Sequence, residues 1–155
     1  MKLKVFRIRP EAKMPVRAHK TDAGMDLFYC PNGDKKLYDH TRNFHLPPGE
    51  SRLIPTGLKV EVPEDHMLEI KNKSGIAFKK QLVVGACVVD CGYDGEVYVN
   101  LHNIGQATQV LAPGQKVAQA VLIPIITCDL EESPDDTLNQ SASRGTGGFG
   151  STGDR

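Results

Sequence analysis

The sequence predicts an all-β domain, a sandwich or barrel of short strands. Three observations carry this reading. Apolar residues recur with period two in several short runs, Gly/Pro turn signals separate the runs, and no long stretch has helical period. The chain has 155 residues, with 15 Gly and 10 Pro. That length suits one domain and buries a core without metal or disulfide staples. The β domain is expected over residues 1–130, followed by a flexible arm over 131–155.

Taken in order, Leu58, Val60 and Val62 alternate with Lys59 and Glu61. Leu68 and Ile70 alternate with Glu69 and Lys71. Val97, Val99 and Leu101 alternate with Glu96, Tyr98, Asn100 and His102. Each pattern is that of a half-buried strand. The runs Leu82 to Val89 and Val117 to Ile126 are apolar on both faces, so they are expected inside the sheet packing. Turns are expected at Pro47-Pro48-Gly49, Pro55-Thr56-Gly57, Pro63-Glu64-Asp65, Asp94-Gly95 and Pro113-Gly114. Short helices have room only near Ser74 to Lys80 or within Cys30 to His45, a segment that reads as a loop extension.

Lys plus Arg equals Asp plus Glu, at 19 each. A neutral chain lacks the basic excess of a duplex-binding protein, so no nucleic-acid partner is expected. A phosphate-bearing ligand must then be held by local donors. The N-terminus interleaves charged and apolar residues, and the apolar stretch Val121 to Ile126 is too short for a bilayer. No membrane partner is expected, and the location is expected to be cytoplasmic, or host-cell cytoplasm for a viral source. Cys30, Cys87, Cys91 and Cys128 lack zinc spacing and read as free buried thiols.

From Glu131 onward the chain is polar and rich in Gly and Ser. Such a stretch buries too little to order itself. Within it, Arg144 to Gly153 joins one cation, one ring (Phe149), hydroxyls and many backbone donors. Glycine backbones wrap phosphates, Arg grips them with two parallel donors, and Phe covers a base. The arm reads as a lid that orders on a nucleotide.

Five segments resemble the trimeric dUTPase family, in the family's order and over most of the chain. They are Ala23-Gly24-Met25-Asp26-Leu27, Lys73-Ser74-Gly75-Ile76-Ala77, Val84 to Glu96, Gly114-Gln115-Lys116-Val117-Ala118-Gln119, and the Arg144 to Gly153 arm. The resemblance implies a jelly-roll-like β-sandwich that assembles as a homotrimer with shared sites. It implies hydrolysis of dUTP to dUMP and pyrophosphate by Mg2+-assisted attack of water on the α-phosphorus. That reaction keeps uracil out of DNA and supplies dUMP for dTMP synthesis.

Residue by residue, the resemblance makes Asp90 the general base, an action worth ~10²–10⁴ in rate. Asp26, which alone reads as a turn carboxylate, is implied to hold Mg2+ through water, as suits a hard cation that keeps its waters. Lys73, Ser74 and Gly75 are implied to bind phosphate. Lys73 stands where the family usually has Arg, so Lys71 or Lys79 can share its task. Tyr93 is implied to pack under the deoxyribose and exclude a 2′-hydroxyl. Uracil is implied to be read by the Leu82 to Asp90 hairpin, near Gly85 and Val89. Cys87, where related sequences often have Gly, either narrows that pocket or points away. Gln119 serves either the phosphates or a structural hydrogen bond. Arg144, Gly148, Phe149, Gly150 and Ser151 are implied to close over the nucleotide.

Two rivals have the same β framework: a deoxycytidine triphosphate deaminase and a non-catalytic dUTP-sensing or capsid-like module. The deaminase needs a glutamate base where this chain has Asn100. Intact Asp26, Asp90, Tyr93 and Phe149 argue against the second.

Overall fold

The computed structural model describes residues 1–33, 40–136 and 138. Among these the chain forms eleven strands and one short helix. The strands are β1 (Lys4–Arg7), β2 (Met25–Phe28), β3 (Phe44–Leu46), β4 (Ser51–Pro55), β5 (Leu58–Glu61) and β6 (His66–Lys71). After helix α1 (Ser74–Lys80) come β7 (Leu82–Val84), β8 (Val88–Val89), β9 (Tyr98–Asn103), β10 (Gln109–Leu111) and β11 (Lys116–Pro124). All strand pairs are antiparallel. They make a four-stranded sheet β2-β11-β6-β8, a three-stranded sheet β4-β9-β7, and the two-stranded pairs β1-β5 and β3-β10. Spatial neighbours are mostly distant in sequence, the crossing pattern of a jelly-roll-like β-sandwich.

The alternation places side chains as expected. In β9, Val99, Leu101 and Asn103 are buried while Tyr98, Asn100 and His102 are half-buried. In β5, Leu58 and Val60 are buried and Glu61 is exposed. These residues meet Leu27, Phe44, Ile54 and Leu68 in one core. Tyr29 enters it with its ring edge toward Phe44 at 6.0 Å, and its hydroxyl donates to the Arg42 carbonyl at 2.8 Å. Buried Asn103 is paired as burial demands: its amide nitrogen donates to the carbonyls of Leu46 and Ala107, and its oxygen accepts from the Gly105 N–H.

Arg9 and Glu96 form an ion pair, 17 % and 11 % exposed, across 87 positions of sequence. It ties the end of β1 to the loop before β9. Hydrogen bonding to Glu96, against the opposing effect of burial, holds the guanidinium above its ordinary basicity.

The five predicted turns all fall at junctions between elements, with Pro55 closing β4. The two doubly apolar runs depart from expectation. Leu82 to Val89 is not one buried strand but β7 and β8 with an exposed crossing, and Val88 is 54 % exposed. Two polar side chains draw the middle of the run off the sheet: Asn72 Oδ1 accepts the Val84 N–H at 2.6 Å, and Asn100 Oδ1 accepts the Ala86 N–H at 3.1 Å. In the second run Val117, Ala118 and Ala120 are buried, but Val121 to Ile123 are half-buried and Ile126 is exposed. Beyond Ala120, β11 has run past the end of β2 and pairs with β6 alone.

The helix near Ser74 is present; the described part of Cys30 to His45 holds a turn and the start of β3 instead. Of the four thiols, all free, only Cys30 is buried, and Cys91 and Cys128 are exposed. Exposure follows position, since Cys91 sits in a turn and Cys128 follows the last strand. Among the described residues no helix is long and apolar enough to cross a membrane.

Candidate active site

The predicted site residues fall into two groups. The first is built on β2, β11 and the start of α1. Asp26 lies in a strand, not a turn, and its side chain is only 6 % exposed. Its backbone pairs with Val16 on one side and its cross-strand partner on β11 is Gln119. The β11–β2 register shifts between Lys116 and Ala118, so Lys116 pairs with Phe28 and Gln119 with Asp26. Asp26 and Phe28 share a face, and paired residues share a face. The bulge therefore turns Lys116 to the side of Asp26, where a regular strand would turn it away.

Lys73 closes the group. It precedes α1 in an extended conformation (φ −89°, ψ 121°), and its Nζ lies 2.8 Å from Asp26 Oδ1. Lys116 Nζ lies 2.6 Å from Oδ2, although not at a hydrogen-bonding angle. Burial opposes charge on Asp26, but Lys116 and Lys73 outweigh it and hold the carboxyl below the usual carboxylate range. Two cations against one anion leave a local positive surplus on a neutral chain. Gln119 donates from Nε2 to the Asn72 carbonyl at 2.9 Å, so it has a structural bond. Ser74 and Gly75 are exposed in the first turn of α1, where backbone N–H groups lack intrahelical acceptors. Lys71 pairs with Glu69 rather than joining the cluster.

The second group surrounds a cavity of about 230 Å³ lined by Ala86, Cys87, Val88, Val89, Asp90 and Tyr93, with Glu96 and Asn100 behind them. Pockets for drug-sized ligands run to roughly 300–1,000 Å³, so this one suits a pyrimidine nucleoside. Cys87 lines the cavity and its carbonyl accepts the Ile70 N–H at 2.6 Å. The Gly85 N–H donates to the Asn100 carbonyl at 2.9 Å. A Cβ at Gly85 would lie 2.3 Å from Asn100 Oδ1 and 2.2 Å from His102 Nε2, so a larger residue there would displace both side chains. Asn100 also donates to Ser51 Oγ at 2.8 Å. Where a deaminase needs a base, this chain has an amide committed to holding the hairpin. Asp90 is exposed, and no described residue pairs with its carboxylate.

The two groups do not meet within one chain. From Asp26 to Lys71 is two strand spacings, from Lys71 back to Met67 is four residues, and Asp90 lies one spacing beyond, next to Val89, the partner of Leu68. With ~4.8 Å between strands and ~3.3 Å per residue, Asp26 and Asp90 are roughly 19 Å apart across the sheet. Arg144, Gly148, Phe149, Gly150 and Ser151 lie outside the described residues.

Lys116 and Asn100 went unassigned in the sequence reading. Lys116 stands in the fourth segment, but only the bulge reveals that it shares a face with Asp26. Among the described residues no group of three or more His, Cys, Asp or Glu is placed to hold a metal. Mg2+, which keeps most of its waters and leans on ligand oxygens, would need few protein ligands here. Asp26 Oδ2, buried without a directed hydrogen bond, is a fitting acceptor for such a water.

A family model described as dUTPase matches residues 10–153. A deoxyuridine 5'-triphosphate nucleotidohydrolase of Gloeothece citriformis (strain PCC 7424) is 39 % identical over 155 residues, covering 99 % of this chain and 97 % of its own. One from Clostridium tetani (strain Massachusetts / E88) is 37 % identical over 153 residues, covering 97 % and 96 %. Among solved structures, a variant dUTPase of phage 80alpha aligns with TM-score 0.82 at 27 % identity, covering 97 % of this chain and 98 % of that one. A variant dUTPase of phage phi11 of S. aureus, whose description names the coordination of a structural Mg(II) ion, aligns with TM-score 0.76 at 26 % identity, covering 88 % and 99 %. With motifs, fold and full-length relatives in agreement, this chain belongs to the dUTPase family.

Proposed function

We propose that this protein hydrolyses dUTP to dUMP and pyrophosphate, and that it does so in the cytoplasm, or in that of a host cell for a viral source. The observation that carries the reading is a nucleoside-sized cavity beside Tyr93 that ends at Asp90, a carboxylate with no described partner. A general base must keep its lone pairs for the water it activates and must come within hydrogen-bond reach of it. Asp90 meets the first condition and takes the proton as water attacks the α-phosphorus. The apolar wall of Val88 and Val89 with Cys87 narrows the cavity around a pyrimidine. The hairpin backbone near Gly85, whose N–H is held by the Asn100 carbonyl, reads its edge.

The Asp26 cluster takes the phosphates. Lys73, with the Ser74 hydroxyl and Gly75 N–H beside it, swings from Asp26 toward phosphate oxygens, and Gln119 steadies the same group. Mg2+, when bound with the substrate, supplies charge neutralisation, and Asp26 holds it through water. The arm from 131 to 155, with Arg144, Gly148, Phe149, Gly150 and Ser151, closes over the nucleotide.

The roughly 19 Å between Asp26 and Asp90 of one chain supports a site shared between copies. No single nucleotide lets both groups of one chain act on the same phosphoryl centre. In a cyclic homotrimer, the hairpin of one copy faces the Asp26 cluster of the next.

A nucleotide panel tests the activity. dUTP should release pyrophosphate far faster than UTP, dCTP or dTTP, with no ammonia from dCTP. Ammonia from dCTP, or no pyrophosphate from dUTP, contradicts the reading.

A further inference from the structure

We infer that the half-buried Arg9–Glu96 pair is a positioning device for Tyr93 and sets how strongly the site rejects ribonucleotides. The inference rests on the proposed role of Tyr93 against the sugar. Tyr93 is 48 % exposed, so packing alone does not fix its ring. A hydrogen bond does: its hydroxyl donates to the Glu96 carbonyl at 3.0 Å, while its N–H donates to the Asp90 carbonyl at 3.3 Å and holds the turn beneath. The ring thus folds back over its own turn. A Cβ at Gly95 would lie 2.2 Å from the Tyr93 hydroxyl oxygen, so only glycine admits this pose.

The carbonyl that receives the hydroxyl belongs to a residue that is itself clamped. The Glu96 carboxylate takes both arms of the Arg9 guanidinium, with Nη1 to Oε2 at 3.0 Å, and Oε1 accepts the Gly57 N–H at 2.7 Å. Arg9 is held in turn by the Cys30 carbonyl at 3.0 Å and Sγ at 3.4 Å. Four loops therefore fix one main-chain carbonyl, which fixes one hydroxyl. Glu96 and Tyr93 border the same cavity.

The consequence is chemical. A phenol committed to the Glu96 carbonyl has its proton spent and its ring locked, so it has no donor left for a 2′-hydroxyl and its ring does not give way to one. Loosen the clamp, or remove the phenol oxygen, and the ring is released to yield the space that a 2′-hydroxyl needs. Arg9 lies outside the cavity lining and acts through Glu96 and Tyr93.

The test measures kcat/KM for dUTP and UTP in wild type, Arg9→Lys, Glu96→Gln, Tyr93→Phe and the Arg9→Lys/Tyr93→Phe double variant. Lys keeps the charge and loses the fork; Gln keeps the shape and loses the charge. Each single variant should raise the UTP-to-dUTP ratio about fivefold, the scale of one hydrogen bond. In Arg9→Lys the kcat for dUTP should stay within about threefold of wild type, since Asp90 and the cavity lining are untouched. The double variant should show no more than the larger single effect, because both changes cut the same chain of contacts. Folded variants with the wild-type ratio, proportional losses for both substrates, or fully additive effects overturn the inference. Tyr93→Phe leaves the ion pair whole, so if the other variants do not fold, an unchanged ratio in Tyr93→Phe alone overturns it. Failure of the wild type to hydrolyse dUTP would instead strike at the proposed function.

Discussion

At the Asp26 end, charges are neutralised against one another: a buried carboxylate between two lysines, on strands paired on both sides. At the Asp90 end, one carboxylate stands exposed in a turn after a two-residue strand, with no described partner. The first arrangement holds a structure ready and yields its cations to a ligand. The second spends nothing on its acidic group and keeps it available for proton transfer. Stability and chemistry are therefore expected to separate along the sheet, with substitutions at one end felt in folding and at the other in turnover.

The largest effect is expected from Asp90→Asn. It should lower kcat for dUTP by at least ~10²-fold. An exposed, unpaired side chain contributes little to folding, so stability should stay within about 0.5 kcal/mol of wild type. Steady-state kinetics beside denaturant melts check both halves. Near-normal turnover would move the base elsewhere and erase the contrast.

Asp26→Ala should do the reverse in part, costing about 1–3 kcal/mol of stability by leaving Lys73 and Lys116 without their anion. Both lysines are partly exposed, at 31 % and 45 %, and water screening keeps the cost toward the low end. The pH dependence follows from the depressed Asp26 pKa. A group with a lower pKa folded than unfolded stabilises above its unfolded value, about 3.9, and loses that contribution as pH falls through the folded value. The stability gap between wild type and Asp26→Ala should be flat from pH 5 to 8 and close below about pH 4. A gap that widens in acid would contradict the ion-pair account.

How much of this was legible in the sequence depends on where the information lies. Period-two runs such as Leu58 to Val62 fixed both strands and buried faces, because a half-buried strand writes its orientation into every second residue. The five motif segments suggested the candidate site residues by order alone. The Leu82 to Val89 run misled, because its break comes from Asn72 and Asn100, which lie far off in sequence and bind single amides. Lys116 was passed over for a related reason: parity places it away from Asp26, and only the bulge reverses that. The Arg9–Glu96 pair spans 87 positions and has no local signature.

The smallest expected effect belongs to the arm. Phe149→Ala should weaken nucleotide binding by roughly 0.5–1.5 kcal/mol without lowering the melting temperature of the ligand-free protein. Isothermal titration with a non-hydrolysable dUTP analogue, beside a thermal melt, checks it. A large fall in melting temperature would mean that Phe149 belongs to the core.

The central claim, that one chain's Asp90 works with another chain's Asp26 cluster, is tested most directly by mixing two dead variants. One is Asp90→Asn; the other is Lys73→Met/Gln119→Leu. Each alone should be nearly inactive. After co-refolding at equal amounts, a site is whole when its hairpin comes from the second variant and its phosphate end from the first. In a closed ring with random assembly this holds for about a quarter of sites. Recovery of about a quarter of wild-type activity is the predicted result. A mixture that stays dead, with mixed trimers shown to be present by mass spectrometry, would contradict it.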